Sequence, residues 1–144
     1  MKFENYKILI FLILPFLSVS CGGSNPYMKG EIKFISKNNT PCLYIDDDDF
    51  KGQYLVLIND YQNPGLTFSY LNNFIDRYPD QKSCVVINSK NFEGILLKKS
   101  TVYNVLMEIE LSDGYGYKRG RFCIKDDKGN VLVQESIAGK CPNV

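Results

Sequence analysis

The sequence contains no histidine and no tryptophan, and it has little excess of either charge. Because histidine is the commonest general base and metal ligand in proteins, its absence excludes a Ser/His or Cys/His nucleophile pair. Seventeen basic residues oppose sixteen acidic ones, and they are scattered along the chain. This balance argues against the basic patch by which proteins bind nucleic acid or an anionic membrane surface.

Long apolar runs are also scarce, and the longest lies near the start of the chain. Ten uncharged residues, 8–17, follow Lys2 and Lys7 and end at a run of small residues that begins with Ser18. A membrane-spanning helix needs about 20 apolar residues, whereas a run of about 10 to 14 suits the core of a signal peptide. The alternative is a retained anchor helix. The early end of the run favours a cleaved export signal over residues 1–20.

The end of this signal, Leu-Ser-Val-Ser-Cys, resembles the lipobox of bacterial lipoproteins. In that family the peptidase cuts before the cysteine, here Cys21, which is then acylated on its sulfur and on its new amino group. The match departs from the usual pattern because Ser18 holds the place of an aliphatic residue, and Leu17 lies one position further out. A single acyl chain binds a membrane only marginally, so several chains on one residue would form a lasting anchor.

The resemblance to lipoproteins implies a location. The protein is expected to be lipid-anchored in the bacterial envelope and to face the periplasm, and Gly22 after the cysteine favours the outer membrane. Residues 21–29 would then form the lipidated, flexible tether, and residues 30–144 one folded domain. A chain with 44% hydrophobic and 13% aromatic residues can build the core of such a domain.

Four cysteines remain in the expected folded domain: Cys42, Cys84, Cys123 and Cys141. An even number of cysteines in an oxidising compartment indicates a disulfide framework, and four cysteines allow three pairings. We favour Cys42 with Cys84 and Cys123 with Cys141, because each pair closes one half of the domain and the second would pin the C-terminal tail. A zinc site is disfavoured, since no two cysteines lie two to four residues apart and no histidine is available.

The folded domain consists of short apolar runs separated by turn-forming residues, a pattern that predicts an antiparallel β-sandwich. The candidate strands are residues 31–36, 42–45, 54–59, 66–71, 83–88, 94–97, 102–111, 117–125 and 131–135. The spacing of apolar residues over 71–78 also allows one short helix that ends before Pro79.

The strand over residues 102–111 has the clearest alternation. One face is expected to carry Tyr103, Val105, Met107, Ile109 and Leu111. Its hairpin partner is expected to place Phe122 and Ile124 on one face, with Arg119, Arg121 and Cys123 on the other. We therefore predict that Glu108 and Glu110 face Arg119 and Arg121 across the two strands.

Three stretches carry a family resemblance: "TPCLYI", "LLKKSTVYNVLMEIEL" and "RGRFCIKDDKGNVLVQE". With the lipidated cysteine, they resemble a group of small periplasmic lipoproteins regarded as type VI secretion immunity proteins. The resemblance implies an immunoglobulin-like β-sandwich that protects its own cell by binding a toxin injected by neighbouring cells. It implies a protein partner, without a cofactor and without a small-molecule substrate.

The acidic run of Asp46, Asp47, Asp48 and Asp49 is the stretch that most invites chemistry. Clustered carboxylates can bind calcium, but a calcium loop spaces its ligands at alternating positions and includes a glycine and a final glutamate. Four adjacent aspartates lack that spacing. We interpret the run as a solvated loop or as an electronegative contact for a partner, and we do not expect an enzyme.

A second candidate contact lies in the stretch "DGYGYKRGR", where Tyr115 and Tyr117 stand among glycines and Arg119 follows. Tyrosine and arginine often contribute most of the binding energy of an interface. The alternative is that the glycines shape a turn and one tyrosine packs on the sheet. Two functions remain open: a tethered module that inhibits a toxin, and a structural or assembly lipoprotein of an envelope complex.

Overall fold

The computed structural model describes residues 27–46, 52–73, 78–111 and 114–142 of the chain. These residues form nine strands and no helix, which confirms the all-β class. The strands are β1 (Tyr27–Glu31), β2 (Lys33–Lys37), β3 (Thr40–Tyr44), β4 (Tyr54–Asp60), β5 (Thr67–Asn72), β6 (Val85–Val86), β7 (Val102–Leu111), β8 (Gly114–Asp127) and β9 (Asn130–Glu135). Within these ranges, no helix is long and apolar enough to cross a membrane.

The strands form two sheets. The larger sheet has the order β1-β8-β7-β4-β5, and β9 also pairs with β8; the smaller has the order β2-β3-β6. β1 and β8 run parallel, while the other paired strands run antiparallel. β8 can pair with both β1 and β9 because its fourteen residues extend past either of them.

The N-terminal part of the domain differs from expectation. β1 begins at Tyr27, inside the segment expected to be a flexible tether, and its first residue pairs with Tyr117 of β8. The expected strand over residues 31–36 is divided at Ile32, where the chain leaves the larger sheet and enters the smaller one. The sequence of β1 has no clear alternation, so its pairing depends on the edge that β8 offers.

At Ile32 the chain passes over β8 from the larger sheet to the smaller one, and this crossing requires a glycine in β8. Ile32 N–H donates to the backbone oxygen of Arg119 at 3.0 Å. A Cβ on Gly120 would lie 2.8 Å from the backbone oxygen of Ile32 and 2.8 Å from the ring of Phe34. Real Cβ atoms essentially never approach other atoms so closely, so Gly120 permits the first strand to pass from one sheet to the other.

Residues 94–97 were expected to form a strand, and this expectation is wrong. Phe92 N–H donates to the oxygen of Asn88 at 2.8 Å, and Ile95 N–H donates to the oxygen of Phe92 at 3.0 Å. The Asn88 side chain also accepts from two backbone N–H groups, which stabilises the turn. Phe92 and Ile95 are buried all the same, so this segment contributes to the core from turns.

The expectation of a short helix that begins at Leu71 is also wrong. Leu71 and Asn72 belong to β5, where they pair with Leu55 and Tyr54 of β4. Residues 74–77 lie outside the described residues. The pairing with β4 explains the difference, because alternate residues of β5 face the core and the solvent, as a strand requires.

One core of buried side chains draws on both sheets. The larger sheet contributes Tyr54, Val56, Ile58, Tyr103, Val105, Met107, Ile109, Phe122 and Ile124, and the smaller sheet and its flanks contribute Leu43, Ile45, Val85 and Ile87. The ring centroid of Phe122 lies 4.9 Å from that of Phe34 in β2 and 5.4 Å from that of Tyr103 in β7. Phe122 therefore packs against both sheets.

The four cysteines of the domain form one disulfide bond and one contact between two free thiols. Cys42 of β3 and Cys84 are joined, with an S–S distance of 2.04 Å, as the first favoured pairing predicts. Cys123 and Cys141 are free thiols that hydrogen-bond to each other. The second expected disulfide is therefore replaced by a near contact between the two sulfur atoms.

Candidate partner-binding face

The larger sheet has one face directed away from the core, which we call the outer face. Alternation within each strand assigns its members, because residues two apart share a side of a sheet. From β4, β5, β7 and β8 these are Leu55, Leu57, Asn59, Thr67, Ser69, Leu71, Asn104, Leu106, Glu108, Glu110, Tyr115, Tyr117, Arg119 and Arg121. Their side chains are half-buried or exposed.

The expected contact residues of β8 share this face. Tyr115 is 58% exposed, Arg119 is exposed, and Tyr117 lies half-buried between them. These three residues follow one another at every second position, so their side chains form a row along the strand. The structure therefore brings Tyr115, Tyr117 and Arg119 together on one strand of the outer face.

The cross-strand partners of this row differ from the expected ones. Glu108 lies opposite Tyr117 and Glu110 opposite Tyr115, whereas Arg119 lies opposite Leu106. The glutamates and arginines do share the outer face, as predicted, but the register is shifted by four residues, because an antiparallel pair with the predicted contacts would place Glu110 opposite Arg119 and Glu108 opposite Arg121. The cause is the short turn, because only residues 112 and 113 separate the two strands.

A polar row crosses three strands at one end of the outer face. The Asn104 side-chain N–H donates to Oδ1 of Asn59 at 3.1 Å, and Arg121 Nε donates to Oδ1 of Asn104 at 2.9 Å. The Arg121 guanidinium also lies 4.8 Å from the centroid of the Tyr61 ring. These contacts hold the guanidinium in one position on the outer face.

A groove of about 550 Å³ lies between this polar row and the middle of the sheet. Leu57 and Leu106 are direct cross-strand partners and provide its apolar surface. Arg119 and Arg121 bring positive charge to the groove, and Glu31 and Glu135 bring negative charge. Apolar surface bordered by fixed charges is typical of a protein-binding surface.

The C-terminal residues 136–142 support this end of the face. Ser136 N–H donates to the backbone oxygen of Arg121 at 3.1 Å, and Ile137 and Lys140 form an isolated bridge. A Cβ on Gly139 would lie 3.0 Å from the Tyr61 ring, so the tail packs directly on the ring that carries Arg121. The position of Arg121 therefore depends on the position of the tail.

The same tail covers Cys123, which is fully buried although its position in β8 belongs to the outer face. Burial raises the pKa of the Cys123 thiol to about 12, and the hydrogen bond with Cys141 acts in the same direction. Lys125 Nζ donates to the backbone oxygen of Pro142 and so holds the end of the tail. Cys123 is thus protonated at neutral pH.

Asp46, the described residue of the acidic run, does not join the row on β8. Asp46 follows β3 of the smaller sheet, is exposed, and forms an ion pair with Lys33 of β2. The hydrogen bond from Lys33 to Asp46 and the opposite charge of that carboxylate raise the pKa of Lys33. Asp47, Asp48 and Asp49 lie outside the described residues, as does Cys21. No group of three or more metal-binding side chains occurs in the part of the chain that the structure describes.

Sequence reasoning missed Leu57, Leu106 and Asn104 as parts of the candidate face. In β4 all five residues from Tyr54 to Ile58 are apolar, so alternation could not show which of them point outward. The polar residues depend on cross-strand register, which the sequence of one strand does not contain. Asn104 was correctly assigned to the polar side of its strand, and that was the available signal.

Comparison of the chain with protein-family models, curated proteins and solved structures gave no match.

Proposed function

We propose that this chain is a lipid-anchored periplasmic protein that binds a type VI secretion toxin and thereby protects its own cell. The single observation that carries the proposal is the outer face, where Tyr115, Tyr117 and Arg119 form one row that reaches, at Arg119, a groove with an apolar floor and charged borders. Tyrosine and arginine next to desolvated apolar surface are the residues that most often dominate the energy of a protein interface.

The chemistry of the groove supports a protein partner. Its apolar floor of Leu57 and Leu106 would be covered by apolar side chains of the toxin, and this burial would contribute about 25 cal/mol per Å² before the costs of association. Arg121 is held by Asn104 and by the Tyr61 ring, so it can pair with a carboxylate at a low entropy cost. Both contributions require a shaped surface and no cofactor.

The proposal extends to the finer description of the fold. Two sheets that share one core support an immunoglobulin-like sandwich, although β1 adds a parallel pair to the larger sheet. In an oxidising periplasm, the neighbouring thiols of Cys123 and Cys141 would lose two protons and two electrons to a disulfide oxidase and form the second disulfide. That bond would pin the tail that supports Tyr61.

Leu106→Glu tests the proposed face. The substitution places a carboxylate on the apolar floor, so we expect the affinity for the protein encoded by the adjacent gene to fall at least tenfold. Leu96→Glu is the matched control, because Leu96 is 81% exposed and lies outside both sheets. Isothermal titration with an inactivated form of that neighbouring protein measures both variants, and circular dichroism checks their folding.

A genetic experiment tests the protective role. Deletion of this gene alone should make cells sensitive to contact with their own parent strain, and deletion of the neighbouring toxin gene should remove that sensitivity. Equal survival of the deletion strain and the parent strain would contradict the proposal. Capture of an envelope-complex component in place of the toxin would favour the assembly role.

A further inference from the structure

The C-terminal tail, residues 136–142, contains a small hairpin beside the outer face. Ile137 and Lys140 exchange two backbone hydrogen bonds of 3.0 Å, and Ala138 and Gly139 between them have φ angles of 50° and 73°. Two successive residues with positive φ angles form the tight turn that joins paired strands. Alanine rarely adopts this left-handed conformation, so the turn carries backbone strain at Ala138.

Buried polar atoms make the closed position of the tail less stable. Oγ of Ser136, the first residue of the tail, is buried and has no hydrogen-bond partner among the described residues, and the same holds for Oε1 of Gln134, which lies opposite Cys123. A buried polar atom without a partner costs free energy, and the Ser136 oxygen would gain water as a partner if the tail opened. Ile137 is 68% exposed, so it adds little apolar burial. Noncovalent contacts therefore stabilise the closed tail only weakly.

The position of the tail matters for the groove, because Ser136 is one of the residues that line it. Ser136 N–H donates to the backbone oxygen of Arg121 at 3.1 Å, and the Tyr61 ring contacts both the tail at Gly139 and the Arg121 guanidinium. Opening of the tail would remove this hydrogen bond and the packing of Gly139 on the ring. Arg121 would then lose the support that the tail gives it at the groove.

Two thiols lie where the end of the tail returns to β8. Cys123 and Cys141 hydrogen-bond to each other, so their sulfur atoms are in contact. Cys123 is fully buried, whereas Cys141 is half-buried. Burial raises the pKa of Cys123 to about 12 and keeps that thiol protonated, and a protonated thiol is a poor nucleophile. Cys141 is therefore the thiol that an external reagent meets first.

We propose that Cys123 and Cys141 are a redox pair that controls the tail: a disulfide oxidant reacts first with Cys141, Cys123 then closes the bond, and the bond fixes Arg121 at the groove. The inference adds an order of reaction and a control of the binding face to the second disulfide. It rests on the proposed function for its effect on toxin binding. The chemistry of the two thiols and the position of Arg121 do not depend on that function.

The reaction has two steps. The Cys141 thiolate attacks one sulfur of the oxidant's disulfide, forms a mixed disulfide and releases the first thiol of the oxidant. The Cys123 sulfur then attacks the Cys141 sulfur and displaces the second thiol. The protein loses two protons and two electrons, which reduce the oxidant's disulfide to two thiols. The positive charge of Lys125 lowers the pKa of Cys123, against the effect of burial, and so favours the second attack.

Reaction with oxidised glutathione tests the order of the two thiols. The full lipidated chain in detergent is prepared as Cys123→Ala and as Cys141→Ser, so each variant keeps one thiol of the pair. Mass spectrometry of peptides measures the glutathione adduct on that thiol, and we expect Cys141 to react at least tenfold faster than Cys123. Equal rates would overturn the order. If Cys123→Ala does not fold, a Cys123 in Cys141→Ser that reacts as fast as the thiol of a short peptide also overturns it.

Hydrogen exchange tests whether the bond holds Arg121. The wild-type chain oxidised with glutathione is compared with Cys141→Ser, which cannot form this bond and keeps the other disulfide. We expect the Ser136 amide and the Arg121 Nε–H to exchange at least tenfold more slowly in the oxidised chain, and the Phe92 amide, in the turns after β6, to exchange equally in both. Equal exchange at Ser136 and Arg121, equal slowing at Phe92, or failure of the wild-type chain to form the bond would overturn the redox control.

Binding separates this inference from the proposed function. The inactivated protein encoded by the adjacent gene should bind the oxidised wild-type chain at least threefold more tightly than Cys141→Ser, as measured by isothermal titration. Equal affinities overturn the effect on the binding face and leave the proposed function standing. Failure of the two proteins to bind overturns the proposed function, while the glutathione and exchange measurements still decide whether the redox pair controls the tail.

Discussion

At the scale of single residues, the distance to a neighbouring segment decides whether a position can hold a side chain larger than glycine. Gly120 allows the chain to cross above β8, and Gly139 allows the tail to lie on the Tyr61 ring. The alternation of polar and apolar residues does not reveal either role, because both arise from contacts between segments that are distant in sequence. Asp80 is different, since its partners Lys82 and Ser83 are close neighbours in sequence.

Gly120→Ala should destabilise the fold. Its Cβ would overlap the backbone oxygen of Ile32 and the Phe34 ring, and the strain of forcing extra atoms into a packed site is about 1 to 3 kcal/mol. Gly65→Ala is the control, because a Cβ there would have no atom within 4 Å. Urea unfolding measures both variants. Equal midpoints for the two variants would contradict the role of the crossing.

Asp80→Asn should weaken the dependence of stability on acid pH. The backbone N–H and the hydroxyl of Ser83 donate to Asp80 Oδ1 at 2.7 and 2.8 Å and hold the pKa of that carboxyl below its usual value. The resulting stability is present above the unfolded pKa of about 4 and is lost as the pH falls through the lower folded pKa. The variant lacks this contribution, so its urea midpoint should change less between neutral and acid pH.

Ser83→Ala provides a graded comparison for this prediction. It removes the hydroxyl donor and keeps the backbone donor, so its pH dependence should lie between those of the wild type and Asp80→Asn. An unchanged acid dependence in both variants would show that Asp80 does not contribute.

At the scale of elements, local pattern predicted the strands that alternate clearly. The β7–β8 hairpin is the best case, because Tyr103, Val105, Met107 and Ile109 alternate with polar residues and are all buried. Lys118 interrupts the apolar side of β8, where it is buried opposite Met107, so the first half of that strand was harder to recognise. β1 and the turns after β6 were missed because their structure depends on distant partners.

Replacement of Cys42 and Cys84 together by serine should lower the free energy of unfolding. The bond joins residues 42 positions apart and links β3 to the segment before β6. On the chain-entropy account, a loop of this length is worth about 4 kcal/mol. Thermal and urea unfolding of the double variant measure the loss. Equal stability of the variant and the wild type would contradict this account.

At the scale of the whole molecule, two sheets, one core and one supported face combine into the proposed surface for a partner. The tail packs on the Tyr61 ring, the Arg121 guanidinium lies over that ring, and Arg121 borders the groove. This series of contacts connects the C-terminal residues to the proposed binding face. Of the two candidate contacts predicted from sequence, the face includes the one on β8, whereas Asp46, the described residue of the other, follows β3 of the smaller sheet.

Cys21→Ser should release the whole protein from the membrane. If the cysteine is acylated, labelled palmitate enters the wild-type chain and does not enter the variant, which moves to the soluble periplasmic fraction. Labelling and fractionation of cells measure both properties. Equal labelling of the two chains would contradict the proposed anchor. Survival in competition would also fall if tethering concentrates the protein where the toxin arrives.

The sequence by itself determined the all-β class and the inward and outward faces of β7 and β8, and it favoured Cys42 with Cys84 among three possible pairings. The first two features depend on composition and on the two-residue period of a strand. The tertiary structure decided the strand order, the crossing at Gly120, the cross-strand register and the edge position of β5. These depend on contacts between distant segments, whose free energy no single stretch of sequence contains.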